Sequence, residues 1–172
     1  MFELIVPAPH ALAGYEAALR QGWSANTTRD VSGEELARLT ADPAAFLDSM
    51  RNPTAPITLP DGTQVPRLPG CIRWMWDGEF CGAINFRHQP GSETLPPHVS
   101  GHLGYSVVPW KQRHGYATRA LRLMLPIAAA AGLAWVDLTC DADNIASRRV
   151  SEANGGVPLP DGPDKKAFRI RL

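Results

Sequence analysis

Gly101-His102-Leu103-Gly104-Tyr105-Ser106-Val107-Val108-Pro109-Trp110-Lys111-Gln112-Arg113-His114-Gly115-Tyr116-Ala117-Thr118 is the stretch that decides the fold. Its first half, 101–108, reads as a strand that Pro109 must end, because proline has no N–H for the ladder and fixes its own φ. A turn follows. An apolar helix then begins near Gly115, with Ala117, Leu121, Met124, Leu125 and Ala128 at helical spacing. Between strand and helix, residues 112–118 combine a basic side chain with Gly115, which lets a backbone approach a ligand, and with small or hydroxylic residues. The first N–H groups of a helix have no internal partner and sit at the positive end of its dipole, so a phosphate or pyrophosphate completes both. The stretch therefore predicts a strand, an anion-binding loop and a helix.

Downstream, Pro126 predicts a kink in that helix and Gly132 its end. Residues 134–140 read as a buried strand. Asp141-Ala142-Asp143-Asn144 offers N-cap residues for a last helix carrying Ala146, Val150 and Ala153 at i, i+4 and i+7, and 167–172 alternates as a closing edge strand. Upstream, the strongest hairpin signal is Asp77-Gly78-Glu79 between two β-prone runs, 71–76 and 80–86. Residues 2–6 predict a first strand and 11–20 a helix. Residues 32–50 predict two short helices divided at Asp42-Pro43, and 52–70 a long surface loop with a turn at Asp61-Gly62. With the divided 32–50 segment counted as one helical element, the order is β-α-α-β-β-β-α-β-α-β.

At 172 residues the chain suits one domain, 1–172, with a sizeable core. Seventeen basic against 17 acidic residues argue against a nucleic-acid or membrane-surface partner. Cys71, Cys81 and Cys140 are odd in number and lack C-x-x-C spacing, so neither a disulfide framework nor a zinc knuckle is indicated and a reduced cytoplasm fits. The opening Met-Phe-Glu-Leu-Ile-Val-Pro lacks the basic-then-apolar pattern of a signal peptide, which predicts an unprocessed, soluble protein. His98 and His102 are four apart, but Pro96-Pro97 and Gly101 oppose the helix that would bring them together, so no metal is expected.

Gln112-x-x-Gly115-x-Ala117, preceded by Val107-Val108-Pro109, resembles the acetyl-CoA loop of the GNAT superfamily of acyl-CoA-dependent N-acyltransferases. Residues 138–156, with Asn144-x-x-Ser147 and Glu152-Ala153-Asn154-Gly155-Gly156, resemble that superfamily's next strand and helix. The ordered signals Asp61-Gly62, Val65-Pro66, Gly82, Arg87-His88, Gly101-His102-Leu103-Gly104-Tyr105 and Asn154-Gly155-Gly156 resemble its small bacterial predicted acetyltransferases along most of the chain. The resemblance implies an α/β (α+β) fold: a mixed, mostly antiparallel sheet of six to seven strands with helices on both faces. It also implies a splay between strands at 102–108 and 134–140.

In such a fold, pantetheine would lie along the main chain of Val107 and Val108. Pyrophosphate would meet the N–H groups of Gln112, Arg113, His114, Gly115, Tyr116 and Ala117 and the hydroxyl of Thr118, with Asn144 completing the donor site. Trp23, Arg87 and His88 would line the acceptor end. The partners implied are acetyl-CoA and an amine acceptor, small molecule or peptide, with a homodimer left open. Direct transfer needs a neutral amine and a donor for the leaving thiolate. His102 is the candidate base, with His88, Glu93 and His98 as alternatives. Many superfamily members carry an acidic tyrosine seven residues beyond the asparagine, but that place here holds Ser151. Ser151 or Ser147, on one helix face with Asn144, is then the candidate donor, and a non-catalytic acetyl-CoA-binding regulatory module is the alternative.

Overall fold

The computed structural model describes residues 1–59, 61–160, 162 and 164–172. The elements in order are β1 (Glu3–Ile5), α1 (Pro9–Arg20), α2 (Ser32–Ala41), α3 (Pro43–Arg51), β2 (Ile57–Thr58), β3 (Gln64–Val65), β4 (Gly70–Trp76), β5 (Phe80–Arg87), β6 (Leu103–Val107), a 3₁₀ turn (Pro109–Lys111), α4 (Tyr116–Ala130), β7 (Trp135–Asp141), α5 (Ile145–Glu152), β8 (Val157–Pro158) and β9 (Lys165–Arg171). One antiparallel sheet has the order β1-β4-β5-β6 and a second has β7-β9-β8.

Period-two alternation assigns the strand residues to two cores. Trp74, Ala83 and Val108 face α1–α3, where Tyr15 stacks on Trp74 with ring centroids 4.7 Å apart and Phe46 closes the layer. The intervening residues Met75, Ile84 and Phe86 face α4, meeting Leu121 and Met124 together with Val136 and Leu138 of β7. Helices thus cover both faces. Gly82, at φ +144, lets β5 close on β6: a Cβ there would lie 2.3 Å from the Ser106 carbonyl oxygen. The division of α2 from α3 follows from Asp42, whose carboxylate caps α3 by accepting from Ala45 N at 2.9 Å, with Pro43 at the first helical position.

Two expectations are corrected. The 167–172 segment is not an edge strand, because β9 lies between β7 and β8. Alternation reports which faces are buried but not how many neighbours a strand has, and two-residue β8 carries no readable signal. The 52–70 loop contains a small hairpin, β2 on β3, turned at Asp61-Gly62, where Gly62 N donates to Leu59 O at 2.9 Å. The helix α4 contains Pro126 and ends at Ala130, just before Gly132, as the sequence indicates. Pro126 is exposed, so the carbonyl oxygen it leaves unbonded can be met by water.

Joined by the α4 crossover, β6 and β7 belong to different sheets. They are pinned at one end only. His102 N donates to Asp137 O at 2.7 Å, and Asp137 N donates back to His102 Nδ1 at 3.0 Å. Beyond this pin no ladder among the described residues joins the two strands, and a gap runs toward Val107 and Asp141.

Candidate active site

The β5–β6 register determines what lines the gap. Arg87 N bonds His102 O at 2.9 Å and Val108 N bonds Cys81 O at 3.0 Å. Even-numbered residues of β6 therefore face β5, and Leu103, Tyr105 and Val107 direct their main-chain groups to the open edge. Val107 is thus placed for an added strand-like ligand, with its carbonyl held by Gln112 Nε2 at 3.3 Å. Val108 is not: it is fully buried, and its N–H and C=O bond Cys81 O and Lys111 N. The expectation that both valines offer hydrogen bonds is corrected to Val107 alone.

The loop beyond β6 is shaped to receive an anion. Gly115, at φ +74, is the N-cap of α4, and the space a Cβ would occupy there is open to 4 Å. Arg113 also has positive φ (66°), a conformation that costs a non-glycine residue energy and is concentrated at functional sites. The first bond of α4 is Arg119 N to Gly115 O at 3.0 Å, so the N–H groups of Tyr116, Ala117 and Thr118 point out of the helix end. His114 braces the turn through Nδ1, 2.8 Å from Gln112 O.

Asp77, at the β4–β5 turn, ties both ends of this loop to the sheet. It accepts from Lys111 Nζ at 3.1 Å and from the Tyr116 hydroxyl at 2.5 Å. Partial burial acts to raise its pKa, but the bonds from Tyr116 and Lys111 outweigh that and hold the carboxyl well below its ordinary range. The Tyr116 side chain therefore anchors the loop, and only its main chain is presented to a ligand.

On the opposite bank, Asn144 caps α5 by accepting from Ser147 N at 3.0 Å. Ser151 is only 1 % exposed, and its hydroxyl donates to Ser147 O at 3.2 Å inside the helix. The expectation that it reaches a sulfur in the gap is corrected. The hydroxyl that does cross from one bank to the other is Tyr105, whose oxygen lies 2.8 Å from Ser147 Oγ. Burial, partly offset by the Ser147 hydrogen bond, pushes its phenol up to about 12. Sequence reasoning gave Tyr105 no role. The available signal was its place two residues before Val107, on the same side of the strand.

His102 is 1 % exposed. Its Nδ1 accepts from Asp137 N, which assigns the proton to Nε2, and Nε2 is buried without a partner among the described residues. Burial lowers its pKa against the pull of the Asp137 carboxylate. The geometry is that of a pin between strands, with no face turned to an acceptor. Trp23, 4 % exposed, packs edge-to-face on Tyr15 and Phe80 and belongs to the core. His88 stacks on Phe86 and lies past the pinned end, beside Glu93, whose carboxylate accepts from Ala134 N at 3.1 Å. Arg87 lies at the pinned end itself. Its Nε donates to Gly101 O at 2.7 Å and Nη1 to Asn85 Oδ1 at 3.2 Å.

A groove of ≈ 530 Å³ bordered by Gly14, Trp76, Glu79 and Trp110 shares no residue with the gap. Among the described residues no three His, Cys, Asp or Glu side chains are grouped to hold a metal ion, and no helix is long and apolar enough to cross a membrane.

Comparison with solved structures gives the same fold. The ribosomal L7/L12 α-N-protein acetyltransferase RimL, solved with coenzyme A, is similar at TM-score 0.64 and 13 % identity over 99 % of this chain and 94 % of that one. The microcin C7 self-immunity acetyltransferase MccE, solved with acetyl-CoA and AMP, is similar at 0.62 and 12 % over 99 % and 92 %. An acetyltransferase from Agrobacterium tumefaciens str. C58 is similar at 0.57 and 16 % over 99 % and 91 %. No curated protein matches the sequence. A family model described as an acetyltransferase (GNAT) domain matches residues 34–157, well over half of the chain. The protein belongs to the GNAT acetyltransferase family.

Proposed function

We propose that residues 1–172 form a single acetyl-CoA-dependent N-acetyltransferase domain that moves an acetyl group to a primary amine of a small molecule or peptide by direct attack in a ternary complex. The observation that carries this reading is the gap between β6 and β7. It has an open strand edge at Val107 and the free N–H groups of α4 at its mouth. The relatives solved with acetyl-CoA or coenzyme A support the same donor, and RimL supports a peptide amine among the acceptor classes.

Acetyl-CoA supplies an activated thioester when bound. The chain's own contribution is to hold and orient it. Val107 fixes the pantetheine arm, the 112–118 loop binds the pyrophosphate, and the His102–Asp137 pin sets how far the two banks stand apart. An alkyl amine with a pKa near ~10 must lose a proton before or during attack. With His102 engaged and buried, that proton passes to water.

The departing sulfur is met by Tyr105, backed by Ser147. A phenol at about 12 is a weaker acid than a thiol near ~8.5. Tyr105 therefore acts as a standing hydrogen-bond donor to the developing thiolate and does not surrender its proton outright. Tyr105→Phe is expected to lower kcat by about 10- to 100-fold, with acetyl-CoA affinity changed less than about threefold. An unchanged kcat in single-turnover measurements excludes the role.

The function itself is tested by thiol release. Purified protein with acetyl-CoA should release coenzyme A faster with at least one member of a panel of amino acids, polyamines, aminoglycosides and N-terminal peptides than without an acceptor. Background rates throughout, with donor binding confirmed by calorimetry, overturn the enzyme reading in favour of a regulatory acetyl-CoA-binding module.

A further inference from the structure

Arg87 is a half-buried guanidinium with no carboxylate partner among the described residues. Two of its five N–H donors are engaged by neutral oxygens, those of Gly101 and Asn85, which fix the plane of the group at the pinned end of the gap. Residues two apart on a strand share a face, so Arg87, Asn85 and Ala83 all lie on the α1–α3 side of the sheet. The carboxylates that might neutralise it are committed elsewhere. Asp137 holds Arg169 at 2.7 and 2.8 Å, Glu93 holds Ala134 N, and Glu35 accepts from the Tyr15 hydroxyl at 2.6 Å.

A second, exposed guanidinium is carried on the neighbouring segment. Gly70 is the strand partner of Arg87, and Arg67, three residues before Gly70, has its Nε fixed by Ala55 O at 3.1 Å. Among the described residues Arg67 has no ion pair. Burial lowers the pKa of Arg87 and the charge of Arg67 lowers it further. The 67–70 segment runs beside Arg87, with His88 N donating to Pro69 O at 3.0 Å, so two guanidinium groups without an ion pair among the described residues are carried on adjacent segments. Fixed, forked donors are suited to a planar carboxylate or to two oxygens of a phosphate.

We propose that Arg87 and Arg67 form an oxyanion subsite for the acceptor, so that the amine acetylated belongs to a molecule that also carries a carboxylate or phosphate group. This rests on the acetyltransferase reading above and narrows its substrate class.

Matched acceptors test it on the wild-type protein without any variant. Glycine and phenylalanine are compared with glycinamide and phenylalaninamide, and O-phosphoethanolamine with ethanolamine. The charged member of at least one set should have a kcat/KM higher by about 10- to 100-fold, and which set responds distinguishes carboxylate from phosphate. Arg87→Gln should remove most of that preference through KM. Arg67→Gln, which does not brace β6, should reduce it even if Arg87→Gln folds poorly. Efficient acetylation of the neutral amines without preference overturns the subsite and leaves the enzyme reading standing. If no amine is turned over, the enzyme reading falls and binding decides the subsite. Protein saturated with coenzyme A should bind inorganic phosphate or acetate in a manner lost in Arg87→Gln, and equal binding by the two proteins overturns the proposal.

Discussion

Gly115→Glu is expected to weaken acetyl-CoA binding by at least about 100-fold with the fold intact. A Cβ at Gly115 meets nothing within 4 Å, so the side chain leaves the backbone into open space. The φ of +74 makes any L-residue there unfavourable by roughly 1–2 kcal/mol, too little to unfold a domain of this size. The larger effect is electrostatic. A carboxylate about 5 Å from a phosphate charge is repelled by roughly 3 kcal/mol at an effective dielectric near 20, against under about 1 kcal/mol in bulk water. Gly115→Gln carries the same strain and nearly the same volume without the charge, and is expected to lose only about tenfold. Calorimetry on the two variants separates the contributions. Affinity for Gly115→Glu within about threefold of wild type, with an unchanged circular dichroism spectrum, removes the cofactor from this loop.

How far such a site can be read from sequence depends on whether its chemistry is local. The Asp77-Gly78 hairpin, the Asp42-Pro43 division of α2 from α3, the strand ended by Pro109 and the glycine at the head of α4 each follow from properties of a few adjacent residues, and each appears where those properties place it. Roles that depend on partners far along the chain do not. Val108 looked equivalent to Val107 until strand register sent its N–H to Cys81, 27 positions earlier. Ser151 looked like a hydroxyl facing the thioester until helix packing buried it and turned its proton to Ser147 O. Tyr105 gained its place only because the gap brings β6 against α5, 42 residues on. Trp23 and Tyr15 form one aromatic cluster with Trp74 and Phe80, a pairing that no spacing rule encodes.

His102 is the sharpest case, since a histidine on the cofactor-facing strand reads as a base and the structure makes it a pin. His102→Ala is expected to cost roughly 2–4 kcal/mol, because it leaves the buried Asp137 N–H without its acceptor and opens a cavity beneath the junction of the two sheets. His102→Asn places an amide oxygen about where Nδ1 stands and should recover around half of that. The pH dependence has a definite sign. Burial lowers the folded-state pKa, so the stabilisation is complete above the ordinary histidine value near ~6.5. It is lost as pH falls from there toward the folded value, at up to about 1.4 kcal/mol per pH unit, while the unfolded chain binds a proton that the folded one refuses. Chemical unfolding of wild type at pH 7.5 and 5.5 should show this loss, and His102→Asn should be flatter across the same interval. For the rate, His102→Asn should keep kcat within a few-fold per folded molecule and leave the shape of the pH–rate profile unchanged. A fall of about 100-fold together with disappearance of a kinetic pKa between roughly 6 and 7, at unchanged stability, identifies His102 as the base instead.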